Sequence, residues 1–133
     1  MSPPLPVATP GGQAALLVAI GAVPGAWLRF RLINHLEPLL PRKHWGTVGV
    51  NLIACFSLGL LVGLAPSCGA GANRLMLLLI TGFLGSFSTF STFVGELWGA
   101  LAQRQAGEAA LLGVSSILGG LLALQLGVLL SHP

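Results

Sequence analysis

Hydroxyl and phenylalanine side chains alternate in one segment of this chain, inside an apolar stretch long enough to cross a membrane. The segment reads Thr81-Gly-Phe-Leu-Gly-Ser-Phe-Ser-Thr-Phe-Ser-Thr-Phe-Val-Gly-Glu96 and follows the apolar run 75–80. Hydroxyl groups donate hydrogen bonds, and the edge of an aromatic ring carries partial positive charge. Hydrocarbon offers no partner to unpaired backbone groups, so such a segment has to face protein or a water-filled path. Its donors are suited to lining the path of an anion.

Phe90 and Phe93 stand three residues apart, so a helix places both rings on one face. Ring edges that point at a path attract an anion without binding it too tightly to release it. Periodicity alone favours ordinary core packing, which often puts two phenylalanines at this spacing. The neighbouring hydroxyl donors favour the anion path instead, and these donors are Ser88, Thr89, Ser91 and Thr92. Glu96, three residues beyond Phe93, is expected nearer the membrane surface.

Asn51 places an amide inside a second apolar stretch, which begins at Trp45. An amide in an apolar environment costs free energy unless it is hydrogen-bonded, so Asn51 needs a partner. One interpretation is that it joins two helices, a contact worth about 0.6 kcal/mol on average in membrane proteins. The other interpretation is that its NH2 group donates to a partly dehydrated anion.

Composition excludes several classes of protein. Of the 133 residues, 54% are hydrophobic and only 7% are charged, and the mean hydropathy is +0.89. Soluble domains carry about 25% charged residues, so this chain is a bundle of membrane spans. The net charge of +3 comes from scattered basic residues that form no patch, which argues against a nucleic-acid partner. Cys55 and Cys68 lack the spacing of a metal or redox site.

Apolar runs of about 20 residues predict an all-α membrane protein with a single four-helix domain, residues 1–133. The predicted spans are 13–33, 46–65, 75–101 and 109–130. The third span is expected to break at its centre: the segment Gly82 to Ser88 should depart from helical geometry, because Gly85-Ser86 is a weak point for a helix.

Basic residues are distributed unevenly between the predicted loops. In or beside the first and third loops lie Arg29, Arg31, Arg42, Lys43 and Arg104, whereas the second loop carries Arg74. The positive-inside rule therefore predicts that the first and third loops are cytoplasmic and that the chain is a multi-pass protein of the cell inner membrane. The chain contains no internal repeat, so any inverted partner has to be a second chain.

Three of the spans resemble the Fluc (CrcB) family of fluoride channels. The family pattern Gly-x-x-Gly-x-x-Thr-Thr-Phe-Ser-Thr-Phe is similar to this chain at Gly82, Gly85, Ser88, Thr89, Phe90, Ser91, Thr92 and Phe93. The first span matches at Gly21, Gly25, Ala26 and Arg29, and the second at Gly46, Thr47, Val50, Asn51, Phe56 and Gly59. The fourth span matches least, at Ser116 and Gly120, since Leu112 stands where the family often has tyrosine.

The resemblance implies a fluoride-selective channel subunit that exports cytoplasmic fluoride passively, as an antiparallel dimer with itself or with an oppositely oriented paralogue. The implied fluoride pathway consists of Asn51, Ser88, Thr89, Phe90, Ser91, Thr92, Phe93 and Ser116. The resemblance also implies a structural Na+ on the dimer axis, held by the backbone carbonyls of Gly85 and Ser88. Arg29 is implied to act in the vestibule or at the dimer interface; spacing alone favours an interfacial anchor.

Two alternatives belong to other classes of protein, and neither they nor the channel is an enzyme. A small proton-coupled drug exporter has similar length, but it needs an acidic residue in the membrane, usually in the first span, and this first span has none. A non-transporting assembly subunit fits the glycine-rich faces but leaves Asn51 and the hydroxyl–phenylalanine segment unexplained. Apart from lipid and fluoride, a partner subunit is the only partner that the sequence suggests.

Overall fold

The computed structural model describes residues 11–36, 44–68 and 72–131. The proline-bearing segment 37–41 and the predicted topology residues Arg42 and Lys43 lie outside these ranges. Within them the chain is almost entirely helical, and four helices are long and apolar enough to cross a membrane. The prediction of an all-α, four-span membrane protein is therefore confirmed.

The first span is the helix Gly11–Leu36, and the second is His44–Leu64, followed by the short 3₁₀ turn Ala65–Cys68. The third span runs from Ala72 to Ala102 in several pieces, and the fourth span is the helix Ala106–Ser131. All eight ends fall within three residues of the predicted ones. Most helices continue slightly beyond the apolar runs, because helical hydrogen bonding extends into the flanking residues.

The third span changes geometry along its length. After the α-helical turn Ala72–Met76, residues Leu77–Leu84 are π-helical, and Gly85–Phe87 return to α-helix. Backbone dihedrals are then extended at two residues, Ser88 (φ −74°, ψ 156°) and Thr89 (φ −144°, ψ 117°). The helix Phe90–Ala102 completes the span.

The interruption begins at Ser88, the last residue of the predicted segment, and so lies later than its weak point at Gly85-Ser86. Gly85 has helical dihedrals, and its N–H bonds the carbonyls of Gly82 and Ile80. A glycine weakens a helix but does not end it while its hydrogen bonds are intact. The helix ends instead where the backbone finds partners on other spans.

Glycines set two close helix contacts. Cβ atoms on Gly21 and Gly25 of the first span would overlap atoms of the third span, including the backbone of Phe83. Cβ atoms on Gly59 and Gly127 would overlap the backbones of the fourth and second spans respectively. Small residues let helix backbones approach in this way within membranes, where packing replaces the hydrophobic effect as the driving force. The first span is therefore held against the third, and the second against the fourth.

The buried core is small and lies between the second span and the first half of the third. It consists of Val50, Ala54, Leu84 and Phe87. Large apolar side chains such as Leu122 are instead exposed on the outer surface of the bundle. This distribution fits a protein whose solvent is lipid, because lipid tails accept apolar side chains as readily as a core does.

Candidate functional site

Asn51 of the second span holds the interruption of the third. Its Nδ2 donates to the Thr89 carbonyl at 3.0 Å, and its Oδ1 accepts from the Thr89 N–H at 2.8 Å. The Asn51 amide thus bonds both the N–H and the carbonyl of Thr89, a residue outside regular helix. Without such partners, burying these two backbone groups in hydrocarbon would cost free energy. This contact is the helix-joining role considered for Asn51 from the sequence. An amide nitrogen carries two N–H donors, so one donor of Asn51 is left over from the Thr89 contact.

Thr89 begins the second half of the third span as its N-cap. Its hydroxyl accepts from the Thr92 N–H at 3.3 Å and donates to the Thr92 hydroxyl at 3.0 Å. A threonine at this position satisfies an amide that the first helical turn leaves unpaired. The side chain of Thr89 is buried, with 6% of its surface exposed. The hydroxyl of Thr89 therefore serves the fold and lines the site at once.

The interruption also frees backbone carbonyls in the first half of the span. In a continuous helix the Thr89 amide would bond the carbonyl of Gly85, but here it bonds Asn51. The carbonyl of Ser88 accepts from Nη1 of Arg29 at 3.3 Å, while the Ser88 hydroxyl turns back to the Leu84 carbonyl at 2.9 Å. Arg29 thus reaches the interruption, and the spacing-based interpretation as an interfacial anchor is wrong.

A groove of about 270 Å³ opens beside the interruption. It is lined by Asn51, Cys55, Ser88, Thr89, Phe90, Phe93, Ser116 and Ile117. Six of the eight residues predicted for the pathway thus line one groove. The other two, Ser91 and Thr92, are exposed and do not line it. Gly85 and Ser88, the predicted cation ligands, line an adjoining cavity of about 170 Å³.

The two phenylalanines of the groove differ in their surroundings. Their ring centroids are 6.2 Å apart with a 42° tilt, so the rings are not stacked face to face. Phe90 exposes 78% of its surface, whereas Phe93 is half-buried. Phe93 belongs to the wall of the groove within one chain, and Phe90 projects from it.

Ser116 of the fourth span contributes a hydroxyl with no hydrogen-bond partner within the described part of the chain. Its oxygen is buried, whereas the neighbouring Ser115 donates to the Leu112 carbonyl at 3.2 Å. A buried hydroxyl without a partner costs about 1–3 kcal/mol, which makes Ser116 a candidate donor to a ligand of the groove. Leu112, where the family often has tyrosine, is fully buried and offers no polar group.

A second polar contact joins the second and third spans outside this groove. Thr47 Oγ1 donates to Glu96 Oε1 at 2.8 Å, and Thr47 is almost completely buried. Glu96 therefore turns its carboxylate toward the bundle. Both residues lie near the ends of their spans, at Ala102 and Trp45, so the expected position of Glu96 nearer the membrane surface stays a prediction. The sequence held a signal for this contact, since Thr47 lies four residues before Asn51 and so on the same helix face.

Fold and groove together define a class: a multi-pass membrane protein with a polar site at the interrupted centre of one span. Comparison with known proteins narrows this class. Residues 16–128 match the family model described as CrcB-like protein, Camphor Resistance (CrcB), and the chain belongs to this family.

Relatives extend the match over most of the chain. A protein of Prochlorococcus marinus (strain MIT 9313), named fluoride-specific ion channel FluC 1, is 56% identical over 95% of this chain and 97% of its own length. A protein of the same name from Synechococcus sp. (strain CC9902) is 52% identical over 85% of this chain and 89% of its own. The fluoride-specific ion channel FluC of Haemophilus ducreyi is 36% identical over 87% and 90% of the two chains.

Proposed function

We propose that this chain is a subunit of a fluoride-selective channel through which cytoplasmic fluoride leaves the cell down its gradient. The observation that carries the proposal is the groove beside the interrupted third span, which gathers hydroxyl, amide and ring-edge donors inside an otherwise apolar bundle. The names of the relatives support the choice of fluoride as the anion.

The donors of the groove differ in strength, which suits an ion that must exchange water in stages. The remaining N–H of Asn51 and the unpartnered hydroxyl of Ser116 are full hydrogen-bond donors. The edges of Phe90 and Phe93 are weaker, because a ring edge carries only the positive part of a quadrupole. Binding that is strong enough for entry but spread over several weak contacts also allows exit, as conduction requires.

The pathway is completed by a second subunit of opposite orientation. Phe90, Ser91 and Gly85 are exposed near the middle of the third span, where a single chain in lipid would leave hydroxyl and backbone groups against hydrocarbon. An antiparallel partner, either a second copy or an oppositely oriented paralogue, would cover this face. The uneven loop charges favour a fixed orientation and hence a paired arrangement with a paralogue.

A structural Na+ on the axis of this dimer is part of the proposal. The Gly85 carbonyl fits such an ion, because its usual helical donor is turned away to Asn51. The Ser88 carbonyl keeps one lone pair beside its contact with Arg29, since a carbonyl oxygen has two. Carbonyl oxygens suit a hard cation, and the ion would supply positive charge that ties two interrupted helices together.

The proposed orientation of the chain in the membrane rests on the basic residues at the two ends of the bundle. Arg31 and Arg104 lie at one end of the described bundle and Arg74 at the other. We propose that the chain lies in the cell inner membrane, and the positive-inside rule supports a cytoplasmic position for its first and third loops. Fluoride would enter the groove from that side.

Fluoride release from liposomes that contain the purified chain tests the proposed function. A fluoride electrode should record rapid loss of fluoride while a chloride electrode records retention. Phe90→Ile should reduce the flux strongly, and Phe30→Ile is the matched control, because Phe30 is also exposed but lies outside the groove. A chain that is inactive alone is tested again with a co-purified paralogue, and inactivity in both forms would exclude the channel.

The same variants separate the rival functions. A proton-coupled drug exporter would carry an organic cation and respond to a pH gradient, and neither is expected here. In an assembly subunit the wild-type chain would pass no fluoride, and Phe90→Ile would change nothing measurable in the flux.

A further inference from the structure

One peptide group of the third span is held from two sides. Its carbonyl, on Ser88, accepts from Nη1 of Arg29 at 3.3 Å, and its N–H, on Thr89, donates to Oδ1 of Asn51 at 2.8 Å. Arg29 belongs to the first span and Asn51 to the second. The peptide group cannot rotate without losing at least one of these hydrogen bonds.

The direction of Arg29 distinguishes it from an interfacial anchor. Arg29 lies seven residues before the end of its helix at Leu36, and helical side chains tilt toward the N-terminus of their helix. This tilt carries the guanidinium away from the nearer surface and toward the bundle interior. Within the third span, Ser88 lies at the centre of the stretch Arg74–Ala102, which is long and apolar enough to cross a membrane. The guanidinium therefore reaches the middle of a span, where an anchor would avoid going.

Close packing one turn earlier brings Arg29 within reach. A Cβ atom on Gly25 would overlap the Ser86 hydroxyl and the Phe83 carbonyl. The first span thus lies directly against the third just before the interruption. Any larger residue at position 25 would move the guanidinium away from Ser88.

We infer that Arg29 is a positioning residue of the channel: with Asn51 it fixes the Ser88–Thr89 peptide group, and so sets the place of Phe90, the next residue, at the groove. This inference rests on the proposed function and assigns Arg29 a role through a directional hydrogen bond. A charge that merely raises the anion concentration near the channel mouth would act without this contact. Removal of the Arg29 side chain should loosen the groove if Arg29 positions the peptide group, and should leave the groove unchanged if Arg29 acts only as a charge.

Cys55 is a native reporter of that groove. It is half-buried and lines both the groove and the adjoining cavity, each of which Ser88 also lines. The chain has one other cysteine, Cys68, so a Cys68→Ser background leaves a single thiol. A peptide group that loosens at Ser88 should open the path of a thiol reagent to Cys55.

The experiment compares Arg29→Met with Arg31→Met in the Cys68→Ser background. Arg31 is the matched control, because it is exposed two residues later and its guanidinium lies over Trp27, 5.4 Å from the ring centroid. The readouts are the rate at which a maleimide labels Cys55 and the ratio of fluoride to chloride release from liposomes. Arg29→Met should raise the labelling rate about tenfold and lower the release ratio by a similar factor, since a hydrogen bond to a charged group is lost. Arg29→Lys should restore most of both values.

Unchanged labelling and an unchanged release ratio in Arg29→Met would overturn the inference. So would a loss of flux that depends on ionic strength while labelling stays at the wild-type rate, because that is the behaviour of a distant charge. If Arg29→Met does not fold, Arg29→Gln takes its place. The neutral glutamine side chain is too short to reach Ser88. A wild-type rate of Cys55 labelling in Arg29→Gln would therefore also overturn the inference. Labelling does not require fluoride transport, so failure of the proposed function and failure of this inference are distinguishable.

Discussion

Two regions of the molecule use the backbone in opposite ways. One is the contact between the second and fourth spans, and the other is the interruption of the third span. In the first region two continuous helices touch along glycines, and Gly59 and Gly127 leave no room for a side chain. In the second region the helix opens at Ser88 and Thr89, and side chains from other spans supply the missing hydrogen bonds. Close packing of backbones holds the second and fourth spans together, whereas hydrogen bonds from side chains hold the third span in its interrupted conformation. A small membrane bundle therefore needs the first kind of contact to tolerate the second.

The largest effect is expected where the closed contact is broken. Gly127→Ala puts a methyl group against the backbone of Phe56 and Leu60, which cannot move independently of their helix. We expect a loss of about 3 kcal/mol in stability, since overpacking against backbone forces whole helices apart. Thermal unfolding of the purified protein in detergent measures it. Gly113→Ala on the same span is the control: a Cβ there meets open space, so stability should be unchanged or slightly higher.

The next largest effect is expected where the open region loses its support. Asn51→Leu keeps an apolar side chain of similar size but leaves the Thr89 N–H without its partner. An unsatisfied buried amide costs about 2 kcal/mol, and fluoride release should fall as well. Unfolding and liposome release measured on the same preparation test both parts. Wild-type stability in Asn51→Leu would mean that the interruption is held by other contacts.

Stability and conduction should separate at Ser116. Ser116→Ala removes a buried hydroxyl that has no partner among the described residues, so stability should rise by about 1 kcal/mol. Fluoride release should fall about fivefold, because one donor of the groove is gone. Ser115→Ala next to it removes a hydroxyl that bonds its own helix and should leave release unchanged. Equal release from the two variants would remove Ser116 from the pathway.

The smallest effect lies outside both regions, in the turn between the third and fourth spans. Arg104 has a positive φ of 59°, a conformation that favours glycine, and the turn closes with a hydrogen bond from the Gln105 N–H to the Ala100 carbonyl. Arg104→Gly should stabilise the protein by about 0.5–1 kcal/mol, whereas Arg104→Ala should not. Unfolding temperatures of the two variants check this prediction. A gain in both would point to the removed charge instead of the backbone.

Local sequence patterns were sufficient for the spans and for the segment that carries the groove. Runs of apolar residues identify four helices, because no soluble arrangement would bury them. The hydroxyl–phenylalanine segment identifies the site, because its composition is costly in lipid unless it is used. Both signals are contained within about twenty neighbouring residues.

The position of the interruption could not be predicted in the same way. Gly85-Ser86 is the weaker local sequence, yet the helix opens at Ser88 and Thr89. Ser88 bonds Arg29, which is 59 residues earlier in the chain. Thr89 bonds Asn51, which is 38 residues earlier. The inward turn of Glu96 depends likewise on Thr47, 49 residues earlier. Contacts between distant residues decide these features, and one sequence alone does not encode them visibly.

The extended conformation of Ser88 and Thr89 also has an electrostatic consequence. Peptide dipoles align along each helix, so a helix carries about half a positive charge at its N-terminus and half a negative charge at its C-terminus. The first half of the third span ends beside Ser88 and turns its negative end to the middle of the membrane, and the second half begins at Phe90 and turns its positive end to the same depth. Partial charges of both signs thus meet within a few residues, supplied by the backbone itself. The proposed cation and the proposed anion would therefore each meet a helix end of opposite charge.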